Sequence, residues 1–335
     1  MTTNETTSSV VTNTWKLLVI GGWVGGGHYT SDVEKVDPNK KSSKCEKPMR
    51  YPTAINWNTA QAFPDQLVLS CGGSNGHQDP KSCYEYNPIY SNWSYATDMI
   101  YDRRWTSSVL LNDDELWLVG GNVPSCQTTE IYDRKTKSFR RGPDTPVQIY
   151  RHCITKLNAT HVFIGGGRSI DQSWYYDTSF LVDIREEPFV FNMLPKMDKS
   201  RWGAGCGVIR FDSKNGNMNQ GYTTSSSKQL IIMAGGGDHD KDVAGNARRD
   251  SEIFNIEENS WSTGPMIPRA FMNGGSASLG DGSIVLVGGY DENFNSKSDI
   301  IRLNPSLMEF ETMSGEIEIA RVYFGMAVLL DNEDC

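Results

Sequence analysis

The sequence lacks the features of several large protein classes, and each gap argues against one of them. No apolar run approaches the length needed to cross a bilayer, so we expect no membrane insertion. Basic residues are too few for a general nucleic-acid or anionic-membrane binder, since 32 Lys and Arg stand against 41 Asp and Glu, a net charge of −9. The seven cysteines form no Cys-x-x-Cys pair, which argues against a structural zinc site.

The N-terminal segment also lacks the basic and apolar stretches of a signal peptide. We expect residues 1–14 to be a disordered tail and residues 331–335 to be a C-terminal tail. An odd number of dispersed cysteines is typical of reduced, buried thiols, although Cys71 and Cys83 flank one predicted hairpin loop and would pair in an oxidising compartment. We therefore expect a cytoplasmic protein. Secretion is the alternative, because N-glycosylation tripeptides occur at Asn4, Asn92 and Asn158.

Glycine, by contrast, is abundant, with 32 residues, and some of these glycines recur in pairs at similar intervals along the chain. The apolar run Leu17–Ile20 ends in the pair Gly21-Gly22, and similar runs end in glycine pairs that begin at positions 72, 120, 165, 235 and 288. A β-branched and leucine run of this length, bounded by glycine, predicts a strand buried on both faces. Six copies of one buried strand indicate a repeated architecture.

The spacing of the pairs predicts which architecture it is. Successive pairs lie 45 to 70 residues apart, and each interval repeats an aromatic or aliphatic residue followed by Asp or Asn, as in Tyr132-Asp133. A large side chain such as Trp93 or Trp261 comes next, and an arginine follows it before the next strand. Each interval thus holds four short strands, and such a period of about fifty residues is typical of a propeller blade.

These landmarks resemble the kelch repeat, in which a glycine pair, Tyr-Asp, Trp and Met-Pro-x-x-Arg follow one another in this order. The resemblance covers residues 15–330 and implies an all-β fold, a six-bladed kelch β-propeller with four antiparallel strands per blade. Blade 1 is expected to combine residues 15–47 with 321–330, so that the C-terminal strand closes the ring as its innermost strand. We interpret the polar segment 212–228 as a loop insertion in blade 5.

The resemblance also implies a binding face. In the kelch family, ligand peptides dock on one face of the ring, often on residues just after each glycine pair and each arginine. Carried over position by position, the implied contact residues are Trp23, Ser74, Asn122, Arg168, Asp238 and Tyr290 from the first set and Tyr51, Trp105, His152, Trp202, Phe271 and Tyr323 from the second, with Arg104 beside them. The alternative is that several of these aromatic side chains pack between blades and seal the central channel.

We therefore predict a non-catalytic, monomeric interaction module that presents an aromatic face to a protein partner, with actin or another cytoskeletal protein, or an adaptor role, as candidates from the family. No cofactor and no nucleic-acid partner are expected, and the sequence shows no appended BTB domain. The rival hypothesis is an enzyme or lectin acting on a small molecule or glycan at the channel mouth, with His152, Asp238 and His239 as candidate groups. Asp238, His239 and Asp240 are weak candidates for a metal site, because acidic loops are usually solvated surface.

Overall fold

A computed structural model describes residues 15–41, 49–122, 124–169, 175–210, 229–238 and 247–330. The predicted tails 1–14 and 331–335 and the predicted insertion 212–228 lie outside these ranges. Within them the chain forms 24 β-strands in six four-stranded antiparallel sheets. No helix in these ranges is long and apolar enough to span a membrane.

The strands follow one another blade by blade along the chain. The first blades contain β1 (Trp15–Ile20), β2 (Asp32–Val36) and β3 (Met49–Arg50), then β4 (Thr59–Ala62), β5 (Val68–Cys71), β6 (Ser82–Asn87) and β7 (Asn92–Asp98), then β8 (Ser107–Leu110), β9 (Glu115–Val119), β10 (Thr129–Asp133) and β11 (Ser138–Arg141). The later blades contain β12 (Cys153–Lys156), β13 (His161–Gly165), β14 (Ser179–Asp183) and β15 (Val190–Met193), then β16 (Gly205–Arg210), β17 (Gln229–Ala234), β18 (Ser251–Asn255) and β19 (Ser260–Thr263), then β20 (Gly275–Ser278), β21 (Ile284–Val287), β22 (Asp299–Asn304) and β23 (Glu309–Glu316), and finally β24 (Gly325–Leu330).

The last strand closes the ring. β24 pairs antiparallel with β1, from Trp15 opposite Leu330 to Ile20 opposite Gly325, and completes blade 1 with β2 and β3. The innermost strands β24, β4, β8, β12, β16 and β20 each neighbour the next around a central channel. The predicted six-bladed fold and its closure are therefore confirmed. Closure in this way pairs the inner edge of β1, so that blade 1 is as complete as the other five blades.

The second strand of each blade is buried on both faces, which explains its continuous apolar sequence. In β1, Leu17 and Val19 pack with Val285 and Val287 of blade 6. The alternate side chains, Leu18 and Ile20, pack instead with Ala60 and Val68 of blade 2. Because successive side chains of a strand point to opposite faces, one apolar run fills the interfaces with both neighbouring blades.

The glycine pairs lie where the chain passes close to the linker that leads from their own blade to the next one. Gly21 has a φ of +66°, and a Cβ atom there would stand 2.4 Å from the carbonyl oxygen of Ile55. The second glycine donates its N–H to that same oxygen at 2.7 Å. In blade 4 the equivalent pair is Gly166-Gly167, one residue later than the sequence pattern predicts, because Gly165 is the last residue of β13.

Three linkers enter the next blade through a buried arginine. Arg201 is fully buried, donates from Nε to Glu252 at 3.0 Å, and donates from Nη1 to the carbonyl oxygens of Gly235 at 2.7 Å and Asp250 at 3.1 Å. Glu252 also accepts the backbone N–H of Asp198 at 2.7 Å. The same arrangement joins Arg103 to Glu130 and Gly120, and Arg321 to Glu34 and Gly21. Each guanidinium is therefore both neutralised and hydrogen-bonded, as a buried charge requires.

The other three linkers carry an apolar side chain at the equivalent position. Ile55, Ile149 and Phe271 replace the arginine, and each occupies an apolar cluster with the residue that replaces the glutamate, namely Tyr84, Phe180 and Ile301 respectively. Arginine and apolar joints thus alternate around the ring. At the joint into blade 6, Arg269 lies two residues before Phe271 and reaches the carbonyl oxygen of Gly288 at 2.7 Å while pairing with Asp299.

Two disulfides occur in the described part of the chain. Cys71 and Cys83, directly opposite each other on β5 and β6, are joined, which is the pairing that the sequence leaves open. Cys153 and Cys206 link the inner strands of blades 4 and 5. This second bond is not expected from the sequence, because its cysteines are 53 residues apart and meet only through the packing of two blades. Cys126 is a buried free thiol.

Replacing Glu130 with glutamine tests an arginine joint. The substitution leaves the Arg103 cation buried without a counter-charge, so we expect the free energy of unfolding to decrease by about 3 kcal/mol in urea denaturation. Asp144→Asn, in the exposed pair Arg141–Asp144, is the control and should leave the unfolding curve unchanged. An equal effect of the two substitutions would contradict a structural role for the joint.

The disulfides are tested by replacing both partners of each bond with serine. Because loop closure contributes more for longer loops, loss of Cys153–Cys206 should lower the free energy of unfolding by about 4 kcal/mol and loss of Cys71–Cys83, with a separation of 12, by about 3 kcal/mol. Non-reducing peptide mapping of the wild-type protein identifies the linked peptides. Recovery of Cys153 and Cys206 as free thiols would contradict the assignment.

Candidate functional site

One end of the channel is encircled by a closed ring of backbone hydrogen bonds, which we call the mouth. It contains one linker residue before each inner strand: Trp57, Trp105, Arg151, Gly203, Asn273 and Tyr323. Each donates its N–H to the carbonyl oxygen of the preceding member, from 2.6 Å for Trp57 to Tyr323 up to 3.3 Å for Trp105 to Trp57. The ring therefore passes once through every linker and ties each blade to the next.

All six mouth residues have a left-handed backbone, with φ between 52° and 62°. Five of them are not glycine, although bulky side chains seldom adopt this conformation. The ring of hydrogen bonds determines it, since each residue must donate to one neighbour and accept from the other. As a result, large side chains gather around the channel opening.

The centre of the mouth is a cation surrounded by aromatic rings. The guanidinium carbon of Arg151 lies 4.9 Å from the ring centroid of Trp105, 5.1 Å from that of Trp202 and 5.2 Å from that of Tyr323. Burial is the main cause that lowers the pKa of Arg151 below its ordinary value, although an arginine remains charged. No carboxylate among the described residues forms an ion pair with it.

Two further arginines extend this arrangement outward. Arg104 lies 4.4 Å from the ring of Trp105 and 5.5 Å from that of Trp57, and its Nε is 3.4 Å from Asp79. Arg168 lies 4.4 Å from the ring of Tyr175 and 5.4 Å from that of Trp202. Three cations thus alternate with aromatic rings across this face, a pattern in which cation–π attraction holds the side chains in place.

A small cavity of about 130 Å³ opens beneath the mouth, with His152 in its lining. The side chain of His152 is buried, and neither ring nitrogen has a hydrogen-bond partner within the protein. The cavity lining also includes donors without a protein partner, namely Nε1 of Trp57, Nε1 of Trp105, Nε of Arg151 and Nδ2 of Asn273. A site rich in donors suits a ligand that accepts hydrogen bonds, such as a carboxylate.

The structure brings most of the implied contact residues to this face. Trp105, His152 and Tyr323 line the cavity, Trp202 contacts Arg151, and Arg104 and Arg168 flank them. The aromatic surface continues through Tyr290, 5.8 Å from Tyr323, to Trp23, 6.2 Å from Tyr290. Asn122 and Ser74 contact the linkers. The side-chain oxygen of Asn122 accepts the N–H of Arg104, and the backbone of Ser74 forms a β-bridge with that of Asn56.

Two of the implied contact residues are buried elsewhere, and a third follows Gly237, which forms a backbone bridge with Trp202. Tyr51 is buried between blades 1 and 2, 4.8 Å from Trp93. Phe271 is fully buried in its apolar joint. Asp238 forms an ion pair with Arg248, while His239 and Asp240 lie outside the described residues.

Sequence reasoning identifies two of the six mouth residues, Trp105 and Tyr323, and misses Trp57, Arg151, Gly203 and Asn273. Counting forward from Arg50 selects Tyr51, but the linker into blade 2 is six residues longer than that count allows, so Trp57 occupies the equivalent position. Counting backward from each inner strand gives the right register, because every mouth residue lies two positions before its strand.

Few titratable side chains line the small cavity among the described residues. No carboxylate lines the small cavity as described, and its titratable groups are His152, Arg151 and Tyr323. Among the described residues, no group of three His, Cys, Asp or Glu side chains could hold a metal ion.

Parts of the chain are similar in sequence to two kelch proteins. No protein-family model matches the chain. It is 23% identical over 156 residues to Kelch-like protein 36 of Rattus norvegicus, covering 41% of this chain and 24% of that protein. It is 25% identical over 194 residues to Beta-scruin of Limulus polyphemus, covering 51% of this chain and 21% of that protein. These similarities agree with the kelch resemblance of the repeated motifs, and the fold is a six-bladed β-propeller.

The matched part of the chain spans about a quarter or less of the length of these two relatives. The chain is also similar to the solved structure titled "Structure of YjhT", with a TM-score of 0.68 and 12% identity over 88% of this chain and 96% of that one. That likeness concerns the fold alone.

The buried His152 predicts a pH dependence of stability. Burial lowers its pKa to about 3 from an ordinary value of 6.5, so below pH 6.5 the unfolded chain takes up a proton that the folded protein does not. The free energy of unfolding should therefore fall with decreasing pH, by about 2 kcal/mol between about pH 6.5 and pH 4.5 from this group. Asp250, whose pKa is lowered to about 2, stays ionised in this window.

Urea unfolding of the wild type and of His152→Gln at these two pH values measures the effect. The variant should lose less stability on acidification than the wild type, because glutamine does not titrate. His161→Gln, at a partly exposed histidine, serves as the control and should keep the wild-type dependence. A variant at position 152 with the wild-type dependence would show that His152 is not held neutral.

Proposed function

We propose that this propeller is a protein-binding module, and that its mouth accepts an acidic side chain from a segment of the partner. The observation that carries the proposal is the position of Arg151, caged by Trp105, Trp202 and Tyr323 with no carboxylate paired to it among the described residues. A carboxylate that reaches this guanidinium gains a charge-assisted hydrogen bond in a partly desolvated site.

The composition of the surrounding surface supports the same proposal. Arginine, tryptophan and tyrosine contribute most of the binding energy at protein interfaces, and all three are concentrated at the mouth. Trp57, Trp105 and Tyr323 are partly exposed, so they remain available to a partner while their inner faces contact one another. A rigid ring of backbone hydrogen bonds also presents these side chains without a large ordering cost on binding.

A catalytic role is a weaker proposal for this face. General acid–base chemistry needs a titratable group poised near the working pH, whereas burial holds His152 neutral with a pKa of about 3. The partner class is defined here by its chemistry, an acidic segment, and an actin-like or other cytoskeletal partner stays a prediction.

The compartment of the protein is a separate proposal. Two disulfides in the described residues favour an oxidising compartment over the cytoplasm expected from the sequence. Of the three glycosylation tripeptides, those at Asn92 and Asn158 begin at exposed residues. Cytoplasmic residence and the monomeric state both stay predictions.

Selection from a random peptide library on the immobilised protein tests the proposed function. We expect the enriched peptides to share an Asp or Glu residue, and Arg151→Met to weaken their binding at least about tenfold. Trp105→Ala should have a similar effect, because it removes one wall of the cage. The control is Arg302→Gln, at a partly exposed arginine of β22 that pairs with Asp281.

Thermal unfolding of each variant verifies that it is folded. Enriched peptides without an acidic residue, or wild-type affinity of Arg151→Met, would contradict the proposal.

A further inference from the structure

The channel widens towards its other end into a cavity of about 480 Å³, which we call the base cavity. Its wall is formed by the inner strands of all six blades. Its volume falls in the range of about 300–1,000 Å³ that is typical of small-molecule sites. The base cavity is separate from the mouth, since the two have no lining residue in common.

Two cations line the base cavity on neighbouring strands. Lys156 is the last residue of β12, and Arg210 is the last residue of β16. Lys156 donates from Nζ to the carbonyl oxygen of Leu111 at 2.6 Å, and Arg210 donates from Nη2 to that of Leu157 at 3.3 Å. An ammonium has three donors and a guanidinium has five, so most of their hydrogen-bonding capacity is unused by the protein.

No carboxylate balances these charges in the described lining of the base cavity. Asp113, an exposed residue of the turn after β8, acts on Lys156 through its charge but forms no ion pair with it. Burial lowers the pKa of Lys156, which shows that its charge is partly removed from water. Both cations line the base cavity, so an anion bound there would be attracted to the two charges.

The rest of the wall determines what kind of anion fits. The hydroxyl of Ser278 accepts the N–H of Val208 at 2.8 Å, and that of Ser108 contacts Thr59 at 2.5 Å, so both are engaged within the protein. Apolar side chains, namely Val109, Leu110, Ile154, Met326 and Val328, form part of the remaining wall, and polar side chains such as Gln61 and Thr155 form the rest. The base cavity therefore combines a cationic edge with a wall that is partly apolar and partly polar.

We propose that the base cavity binds a small organic anion, with its acid group between Lys156 and Arg210 and its apolar part against the channel wall. The acid group is a carboxylate or a phosphate, since both accept several hydrogen bonds and carry the charge that the two cations require. This site does not depend on the protein-binding role of the mouth.

Isothermal titration calorimetry with four probes tests the proposal: hexanoate, hexyl phosphate, inorganic phosphate and the neutral hexanol. We expect hexanoate or hexyl phosphate to bind saturably, and the stronger of the two to identify the acid group. Inorganic phosphate should bind at least about tenfold more weakly, because it gains nothing from the apolar wall. Hexanol should not bind, because it lacks the charge.

Lys156→Met and Arg210→Gln should each weaken binding of the stronger probe at least about tenfold. Two variants are used so that one remains informative if the other does not fold. Lys135→Met, at an exposed lysine on the same side of blade 3 as Asp114, and Arg151→Met at the mouth are controls that should keep wild-type affinity.

Absence of binding by both organic acids would overturn the proposal. So would equal binding of hexanol, equal binding of inorganic phosphate, or wild-type affinity in both Lys156→Met and Arg210→Gln. Loss of binding in Arg151→Met would place the anion at the mouth instead.

Discussion

Six backbone hydrogen bonds, each running from one linker to the preceding one, fix the geometry of the molecule around its channel. They form a closed circle, so no member can shift without lengthening two bonds. The circle imposes a left-handed backbone on five residues other than glycine, among them two tryptophans and a tyrosine. The collection of aromatic and cationic side chains at the mouth is a direct consequence of this backbone constraint.

The joints between blades provide the second level of organisation. A buried arginine with its glutamate and an apolar pair solve the same problem, which is to anchor a linker beneath the glycine turn of the next blade. The arginine solution places a charge in the core but satisfies it with a carboxylate and carbonyl oxygens. The apolar solution places a packed side chain there instead, and the joint into blade 6 adds Arg269 two residues earlier. A linker of one kind therefore fits only a blade of the same kind.

The fold was predictable from the sequence because its strongest signal is repeated. Gly21-Gly22 and its companions mark the end of a strand that must be buried on both faces, and six of them determine the number of blades. The pairing of β24 with β1, from Trp15 opposite Leu330, closes this ring. Because the pattern occurs six times, the prediction of the fold does not depend on the exact position of any one pair, such as Gly166-Gly167, which lies one residue later than predicted.

The candidate site was predictable only in part, because its register depends on linker lengths. Trp105 and Trp202 follow an arginine directly and were found, whereas Trp57 follows a longer linker and was missed. Arg50 and Arg151 lie near the expected position but are not the buried joint arginines, since Ile55 and Ile149 occupy those places. The base cavity gave no sequence signal, because Lys156 and Arg210 meet only when two blades pack side by side.

The alternation of joints also determines whether the number of blades in the ring can be odd or even. Two kinds of interface that strictly alternate can close a circle only when the number of blades is even. A ring with one blade added or removed would place an arginine linker against a blade whose corresponding strand offers Tyr84, Phe180 or Ile301 in place of a glutamate. The smallest unit by which this propeller could grow or shrink is therefore a pair of blades.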